Sequence, residues 1–366
     1  MAKKRNTIED YLNELYRRGM AGDEEAQLEY IQFYVTETNL PLPDEAKLWL
    51  VTLAEKGDAQ ARRCYFAWAM SGDEGNFDWL KLEQWALELA ETSPGDAYCM
   101  LGMLYEAGLP GFEDDKVAEG HYRKAIEAGN EGCAFYLARV LLGREESVSY
   151  EEVRDLLERA ERVNPSAPVY DLLGTVCQEL GDDAAAVKCF QKLHRLNPAD
   201  SECCIDLARH YALGAGVRQD DEIALRYFQK AANLGDSYGT FMVGLHYYEG
   251  LGTRRNFKRA VDYFKRSLEM GDTRALYHLG ICCSRGEGVR QDAAAATGYW
   301  QRGAELNDAP CCVALAMHCV DGGELQRAEE LLAQAREHMM EGDEELLRQM
   351  EIVQLCMDTV GGKSAD

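Results

Sequence analysis

No run of about 18 apolar residues occurs anywhere in this 366-residue chain, so nothing in it reads as a membrane-spanning helix. The N-terminus, Met1 to Asp10, starts basic but has no apolar stretch behind it, which argues against a secretory leader. None of the thirteen cysteines sits in a Cys-x-x-Cys, so structural zinc and thioredoxin-like redox chemistry lack their signature. The adjacent pairs Cys203-Cys204, Cys282-Cys283 and Cys311-Cys312 point to different faces of a helix and are poorly placed to chelate together. Read in a reducing cytosol, the cysteines are expected to be small buried apolar residues. Gly-x-x-x-x-Gly-Lys-Ser/Thr, His-Glu-x-x-His and Gly-x-Ser-x-Gly are all missing, and with them the common marks of phosphate loops, zinc proteases and hydrolases. No stretch alternates convincingly with period two, so no sheet is expected. Basic residues are outnumbered, 39 against 64 acids for a formal charge of −25. That balance argues against nucleic acid and anionic membrane surfaces as partners. It leaves two readings of the acidity: solubility, or attraction of a basic partner.

What the chain does have is a period. Gly22-Asp23, Gly57-Asp58, Gly95-Asp96, Gly129-Asn130, Asn164-Pro165, Asn197-Pro198, Gly235-Asp236, Gly271-Asp272, Asn307-Asp308 and Gly342-Asp343 recur at intervals of 33 to 38 residues. Glycine can take the left-handed cap of an outgoing helix, and Asp or Asn can cap the next one. A fixed spacing of this size marks a helical solenoid.

The phasing predicts an all-α chain of a lone opening helix, about nine helix-turn-helix pairs and a closing helix. The opening helix covers 7–21. The pairs cover 24–35 with 44–56, 59–70 with 78–92, 96–107 with 115–128, 131–142 with 150–163, and 167–180 with 183–196. They continue through 201–213 with 220–234, 237–249 with 256–270, 273–285 with 292–306, and 309–320 with 324–341. The closing helix covers 343–358. Three blocks follow: an N-terminal capping helix at 1–22, the repeat array at 23–342, clearest over 96–306, and a capping helix with polar tail at 343–366. Trp68, Trp79 and Trp85 are expected to pack between helices.

Two repeat patterns can be read directly. Counting from Ala167, the residues Tyr170, Leu173, Gly174, Ala186, Phe190 and Pro198 fall at positions 4, 7, 8, 20, 24 and 32, which resembles a tetratricopeptide repeat. The copies that begin at Ser201, Ser237 and Thr273 keep a longer turn, Gly-x-Gly-Val-x-x-Asp in the first and third, and resemble Sel1-like repeats. The resemblance implies a right-handed α-α superhelical solenoid, with Ala186 at position 20 receiving the small residue at position 8. It also implies scaffolding, with peptides or proteins held on a concave surface lined by the first helix of each pair.

On that implied geometry, positions 2, 5, 9, 12 and 13 of each first helix face the groove. The expected binding residues are Arg209, Tyr238, Phe241, Tyr248, Glu249, Arg274, Tyr277 and Arg285, with Glu202 and Ile205 beside them. Aromatic and Arg side chains give large contact area and directional donors, and Arg274 with Arg285 would suit an acidic group or a C-terminal carboxylate. His210, His246, Cys282 and His318 share one slot in successive repeats. Repeat spacing of about 10 Å is too wide for them to share one metal, so a packing role is expected. His278 and Cys282 form at most half a metal site. The turns Gly214 to Gln219 and Gly286 to Gln291 lack a third glycine and follow helices, not strands, which tells against phosphate binding. A basic island runs from Asp236 to Arg290, nine Lys/Arg against six acids, and is read as a solvated convex face.

The expectation is a cytoplasmic, non-catalytic adaptor for a protein or peptide, without metal or cofactor, monomeric or weakly associated end to end. Two alternatives stay open: an immunity or inhibitor protein for a basic toxin, and a hydrolase with its site in the groove.

Overall fold

In a computed structural model, residues 2–38, 40–71, 77–108, 114–144, 148–340 and 342–363 are described. Two compact units divide at Pro165 and Ser166. Every described element of regular structure is an α-helix; no strand occurs among the described residues.

The first unit contains α1 (Ala2–Met20), α2 (Glu24–Glu37), α3 (Asp44–Glu55), α4 (Ala59–Met70), α5 (Trp79–Leu89), α6 (Pro94–Glu106), α7 (Asp115–Glu127), α8 (Cys133–Leu142) and α9 (Tyr150–Val163). The second contains α10 (Ala167–Glu179), α11 (Asp183–Leu196), α12 (Ser201–Leu213), α13 (Asp221–Asn233), α14 (Ser237–Glu249), α15 (Phe257–Glu269), α16 (Ala275–Arg285), α17 (Ala293–Glu305), α18 (Ala309–Asp321), α19 (Leu325–His338) and α20 (Glu344–Lys363). Helices α2 to α9 make four pairs and α10 to α19 five, with α1 packed on α2 and α20 on α18. The turn at 109–111 and residues 145–147 and 364–366 lie outside the described residues.

The expected caps form at most landmarks. Gly235 holds φ +91°, a region open to glycine, and Asp236 then accepts from the Gly239 amide to start α14. Asp23, Asp58, Asp308 and Asp343 cap in the same way, each worth about 1 kcal/mol. Other landmarks behave differently. At Gly129-Asn130 the Asn130 side-chain amide donates back to the Gly95 carbonyl and the Asp96 carboxylate, and α8 starts at Cys133, two residues later than the phasing predicts. Gly95 and Asp96 lie inside the first turn of α6, because Pro94 is pre-set for the first helical position and starts the helix earlier. Asp272 does not cap α16 in that way; its carboxylate accepts from both the backbone amide and the side chain of Arg274, and α16 starts at Ala275, two residues later than the phasing predicts.

The small residue at position 8 does allow close approach within a pair, but its neighbour is an aromatic of the second helix, at position 24 in the tetratricopeptide-like copy and at position 28 in the longer copies. A Cβ on Gly174 would meet the Phe190 ring at 2.6 Å, and one on Gly244 would meet Phe264 at 2.7 Å. Gly102 faces Tyr122 and Gly280 faces Trp300 in the same way. Ala186 is buried but is not among the atoms nearest Gly174, so the contact implied for it belongs to Phe190. A planar ring seated flat on bare backbone buries more apolar area than two small residues meeting.

The second glycine of each Gly-x-Gly turn has a separate cause. At Gly252 and Gly288, φ is +64° and +77°, and a Cβ would collide with the backbone of Asp221 and Phe257, at the start of the preceding repeat's second helix. The turn docks on the previous repeat there, which explains why the motif recurs with the period.

Trp68 packs on Phe77 at 4.8 Å between centroids, Trp79 on Phe77 at 5.5 Å, and Trp85 on Tyr65 at 5.5 Å, as expected of packing residues.

Candidate binding surface

The second unit's first helices, α12 and α14, with Arg274 just ahead of α16, line a concavity of about 650 Å³. Its wall consists of Ser201, Glu202, Ile205, Asp206 and Arg209 from α12, Asp236 and Tyr238 at the start of α14, and Arg274. Helical spacing explains the set, since Glu202, Ile205 and Arg209 lie three and four apart and share one face. Of the eight residues expected to bind, the structure gathers three here: Arg209, Tyr238 and Arg274.

The other five are placed elsewhere. Phe241 is a correction: at 7% exposure it is a core residue, with its ring 5.7 Å from Phe264 and 5.4 Å from His278. Its position faces the groove in projection, but the neighbouring first helix closes over it. Tyr248 is half-buried, and its hydroxyl donates to Glu287 at 2.7 Å. Tyr277 stands edge-on to His278 at 5.3 Å and is half-buried. Glu249 and Arg285 are exposed but outside the concavity's lining.

The electrostatics of the concavity remove Arg274 from the free cations expected to meet an acidic group. Arg274 donates through Nε and one terminal nitrogen to the two oxygens of Asp272, both at 2.8 Å. Its guanidinium also stacks over Tyr238, 4.4 Å from the ring centroid. The charge is therefore already met, which leaves Arg209 against Glu202, Asp206 and Asp236 in the wall. Asp206 makes no hydrogen bond or ion pair among the described residues, and burial pushes its carboxyl up to about 6, with Arg209 opposing. Burial also raises Asp171, which Asp200 and Glu202 reinforce. The wall is short of positive charge, not of negative.

The histidine slot has a function that the sequence pattern did not disclose. His210 Nδ1 lies 2.9 Å from the Ala215 carbonyl oxygen, and His246 Nδ1 lies 3.0 Å from that of Leu251. A carbonyl only accepts, so Nδ1 carries a proton and each ring clamps the turn five residues on. His278 sits among Phe264, Phe241, Tyr248 and Tyr277, where burial pulls it down to about 4. Among the described residues, no group of three or more His, Cys, Asp or Glu side chains converges as a metal site.

One Cys-His contact bears on catalysis. His194 Nδ1 lies 3.7 Å from Cys204 Sγ, while its Nε2 lies 3.0 Å from Lys230 Nζ. An ammonium only donates, so Nε2 accepts, Nδ1 keeps its proton, and the ring cannot take one from the thiol. Burial raises the Cys204 thiol as well, so the pair lacks an activated nucleophile. Ten of the thirteen cysteines are buried, in line with apolar packing.

A chain of helical pairs with a 33–38-residue period, and an aromatic seated on Gly102, Gly174, Gly244 and Gly280, is a helical-repeat protein. Residues 95–130, 201–236, 237–272 and 273–308 match the Sel1 repeat, and residues 167–200 match the tetratricopeptide repeat. Among solved structures, the chain is similar to c5321, a protective antigen of uropathogenic Escherichia coli strains displaying an SLR fold: TM-score 0.72, 23% identity, covering 89% of this chain and 71% of that one. It is also similar to a Sel1 repeat protein from Oxalobacter formigenes, with a TM-score of 0.58, 20% identity, and coverage of 83% and 90%. These likenesses are of fold. Among curated proteins, none matches the chain by sequence. No described helix is long and apolar enough to cross a membrane.

Proposed function

We propose that this protein is a non-catalytic cytoplasmic adaptor that holds a protein or peptide segment against the first helices of its second unit, with 1–22 and 343–366 as caps to the array at 23–342. The observation that carries this reading is the concavity on α12 and α14, where Arg209 is exposed and free, Tyr238 offers a half-buried ring, and Asp206 is an unpaired, half-buried carboxylate. A repeat framework is held together by its internal faces, so groove side chains are free to serve a ligand. An ionised carboxylate without a partner costs stability, and such groups concentrate at functional sites. The wall's charge favours a ligand segment that brings a cation or a hydrogen-bond donor to Asp206 and an apolar or aromatic face to Tyr238 and Ile205.

A peptide-display selection against the wild type and a Glu202→Ala, Arg209→Ala, Tyr238→Ala variant tests it. Sequences enriched by the wild type and lost by a helical, monomeric variant support the reading; sequences enriched equally by both, or by neither, overturn it. The inhibitor reading draws on the same acidity, and tight one-to-one binding of a basic protein would distinguish it from an adaptor.

A further inference from the structure

The segment Thr253–Arg266 carries six cations, Arg254, Arg255, Lys258, Arg259, Lys265 and Arg266, against one acid, Asp262 (6 − 1 = +5), in a protein of net charge −25. All six cations are exposed. They occupy the turn before α15 and the outer face of that helix. Elsewhere in both units the basic residues are commonly neutralised: Arg62 by Glu88, Arg139 by Glu106, Arg159 by Glu131, Arg226 by Glu222. Among the described residues of 253–266, no ion pair forms. Arg255, Arg259 and Arg266 give their hydrogen bonds to neutral oxygens, those of Glu249 backbone, Tyr247 hydroxyl and Ala232 backbone. Arg254, Lys258 and Lys265 make no hydrogen bond or ion pair among the described residues.

Framework needs account for part of this. Arg266 meets a carbonyl at the C-terminal end of α13, where a cation complements the helix dipole. They do not account for Arg254, Lys258 and Lys265, whose side chains hydrogen-bond or ion-pair with nothing among the described residues. The turn position of Arg254 is arginine in the flanking repeats too, at Arg218 and Arg290, 36 residues before and after, and both are exposed without a partner. An exposed arginine therefore recurs at this turn position in three consecutive repeats, and the segment around Arg254 is the one where cations most outnumber acids.

We propose that this face is a second docking surface, independent of the α12–α14 concavity, and that its occupant is a short acidic segment of another protein. Charge complementarity selects an anion. The rest of the molecule selects its length: fields are screened beyond about 8 Å at physiological salt, so a short segment sees only the island. A nucleic acid or membrane surface extends past the island and meets the acidic remainder. Helix α15, with 13 residues at about 1.5 Å each, presents roughly 20 Å of basic edge, the span of about six extended residues. Arginine forks pair with carboxylates bidentately and lysines act as point charges, so runs of Glu or Asp satisfy both.

The test is fluorescence anisotropy of a labelled oligo-glutamate peptide of about eight residues, titrated with full-length protein at about 50 and 150 mM salt. The expected result is saturable binding, weaker at the higher salt, and at least about tenfold weaker in Arg254→Gln, Lys258→Gln, Lys265→Gln. Those side chains are exposed and make no hydrogen bond or ion pair among the described residues, so the triple variant keeps the wild-type circular dichroism; the charge-reversed Glu series gives a second reading of the same face. The groove variant Glu202→Ala, Arg209→Ala, Tyr238→Ala binds the acidic peptide as the wild type does. Absence of binding, or binding that the Gln and Glu variants leave unchanged, overturns the proposal. So does a single-stranded oligonucleotide of equal charge binding tighter than the peptide. Self-association of the wild type that the triple variant abolishes and the peptide fails to displace assigns the face to a second copy of the chain and also overturns it.

Discussion

The guanidinium of Arg274 is held between two groups: its carbon lies 4.4 Å from the ring centroid of Tyr238, and two of its nitrogens lie 2.8 Å from the carboxylate of Asp272. The Asp272 side chain is 3% exposed. An arginine that the sequence offers as a ligand anchor is thus the counter-ion of a buried carboxylate. Arg274→Ala strands that carboxylate and is expected to cost about 2 kcal/mol in urea denaturation, the full value for a buried pair being reduced because Arg274 is half exposed. Arg274→Lys keeps the charge, loses the fork, and falls between. Wild-type stability in the alanine variant would show that the pair is ornamental.

Asp206 is expected to trade stability for function. Burial lifts its carboxyl from 3.8 to about 6, so the native state binds a proton more readily than the unfolded chain. Wild-type stability therefore gains as pH falls from about 6 towards 3.8, and the ionised group is a burden above that window. Asp206→Asn is expected to be more stable by about 1 kcal/mol at pH 8, after allowance for its partial exposure, with the advantage fading by pH 4. An Asn variant less stable than wild type at pH 8 would mean the carboxylate has a structural partner.

His278 sets a dependence of opposite sign. Burial pulls it from 6.5 to about 4, so between those values the unfolded chain takes up a proton that the native state refuses. Stability falls as pH drops through that window, by up to about 3 kcal/mol from this residue. His278→Phe is expected to flatten that part of the profile. Parallel profiles for the two proteins between pH 7 and 4 would refute the assignment.

The turn clamp makes a separate claim on His246, whose ring is 1% exposed. His246→Phe retains the apolar contact with Phe228, 5.3 Å away, and loses the bond to Leu251. The expected cost is about 1–2 kcal/mol, with faster amide exchange at residues 251–256. Unchanged exchange there would show that the glycines alone shape the turn.

At the centre of a repeat pair, Gly280→Ala is expected to cost more than about 2 kcal/mol, because its Cβ would overlap Trp300, whose indole donates to the Tyr277 carbonyl at 3.3 Å. The double variant Gly280→Ala, Trp300→Phe should recover part of the loss. No recovery would mean that the clash is taken up elsewhere.

Much of this fold was legible in the chain itself. The helical pairs, their turns and the positions of most caps follow from the Gly-Asp period, because capping and left-handed backbone are chemistry within a few residues. The small residue at position 8 was legible as a close approach; which ring it receives was not, because that contact lies one helix away, sixteen residues on at Phe190 and twenty at Phe264 and Trp300. Three of the eight expected binding residues gather in one concavity, since a helix face can be counted from sequence. Phe241 could not be separated from them by counting, as its burial depends on what α15 and α16 place over it.

The repeat architecture, helical throughout the described residues, and the mean charge were readable from the chain alone, because they depend on composition and local periodicity. Only the tertiary structure decided which charges are free. Arg274 is neutralised by Asp272, only two positions away, whereas Lys258 makes no ion pair among the described residues although Asp262 stands four positions on, and Arg254 and Lys265 make none either; spacing along the chain does not say which charges pair, because pairing depends on where side chains come to rest within a few ångströms.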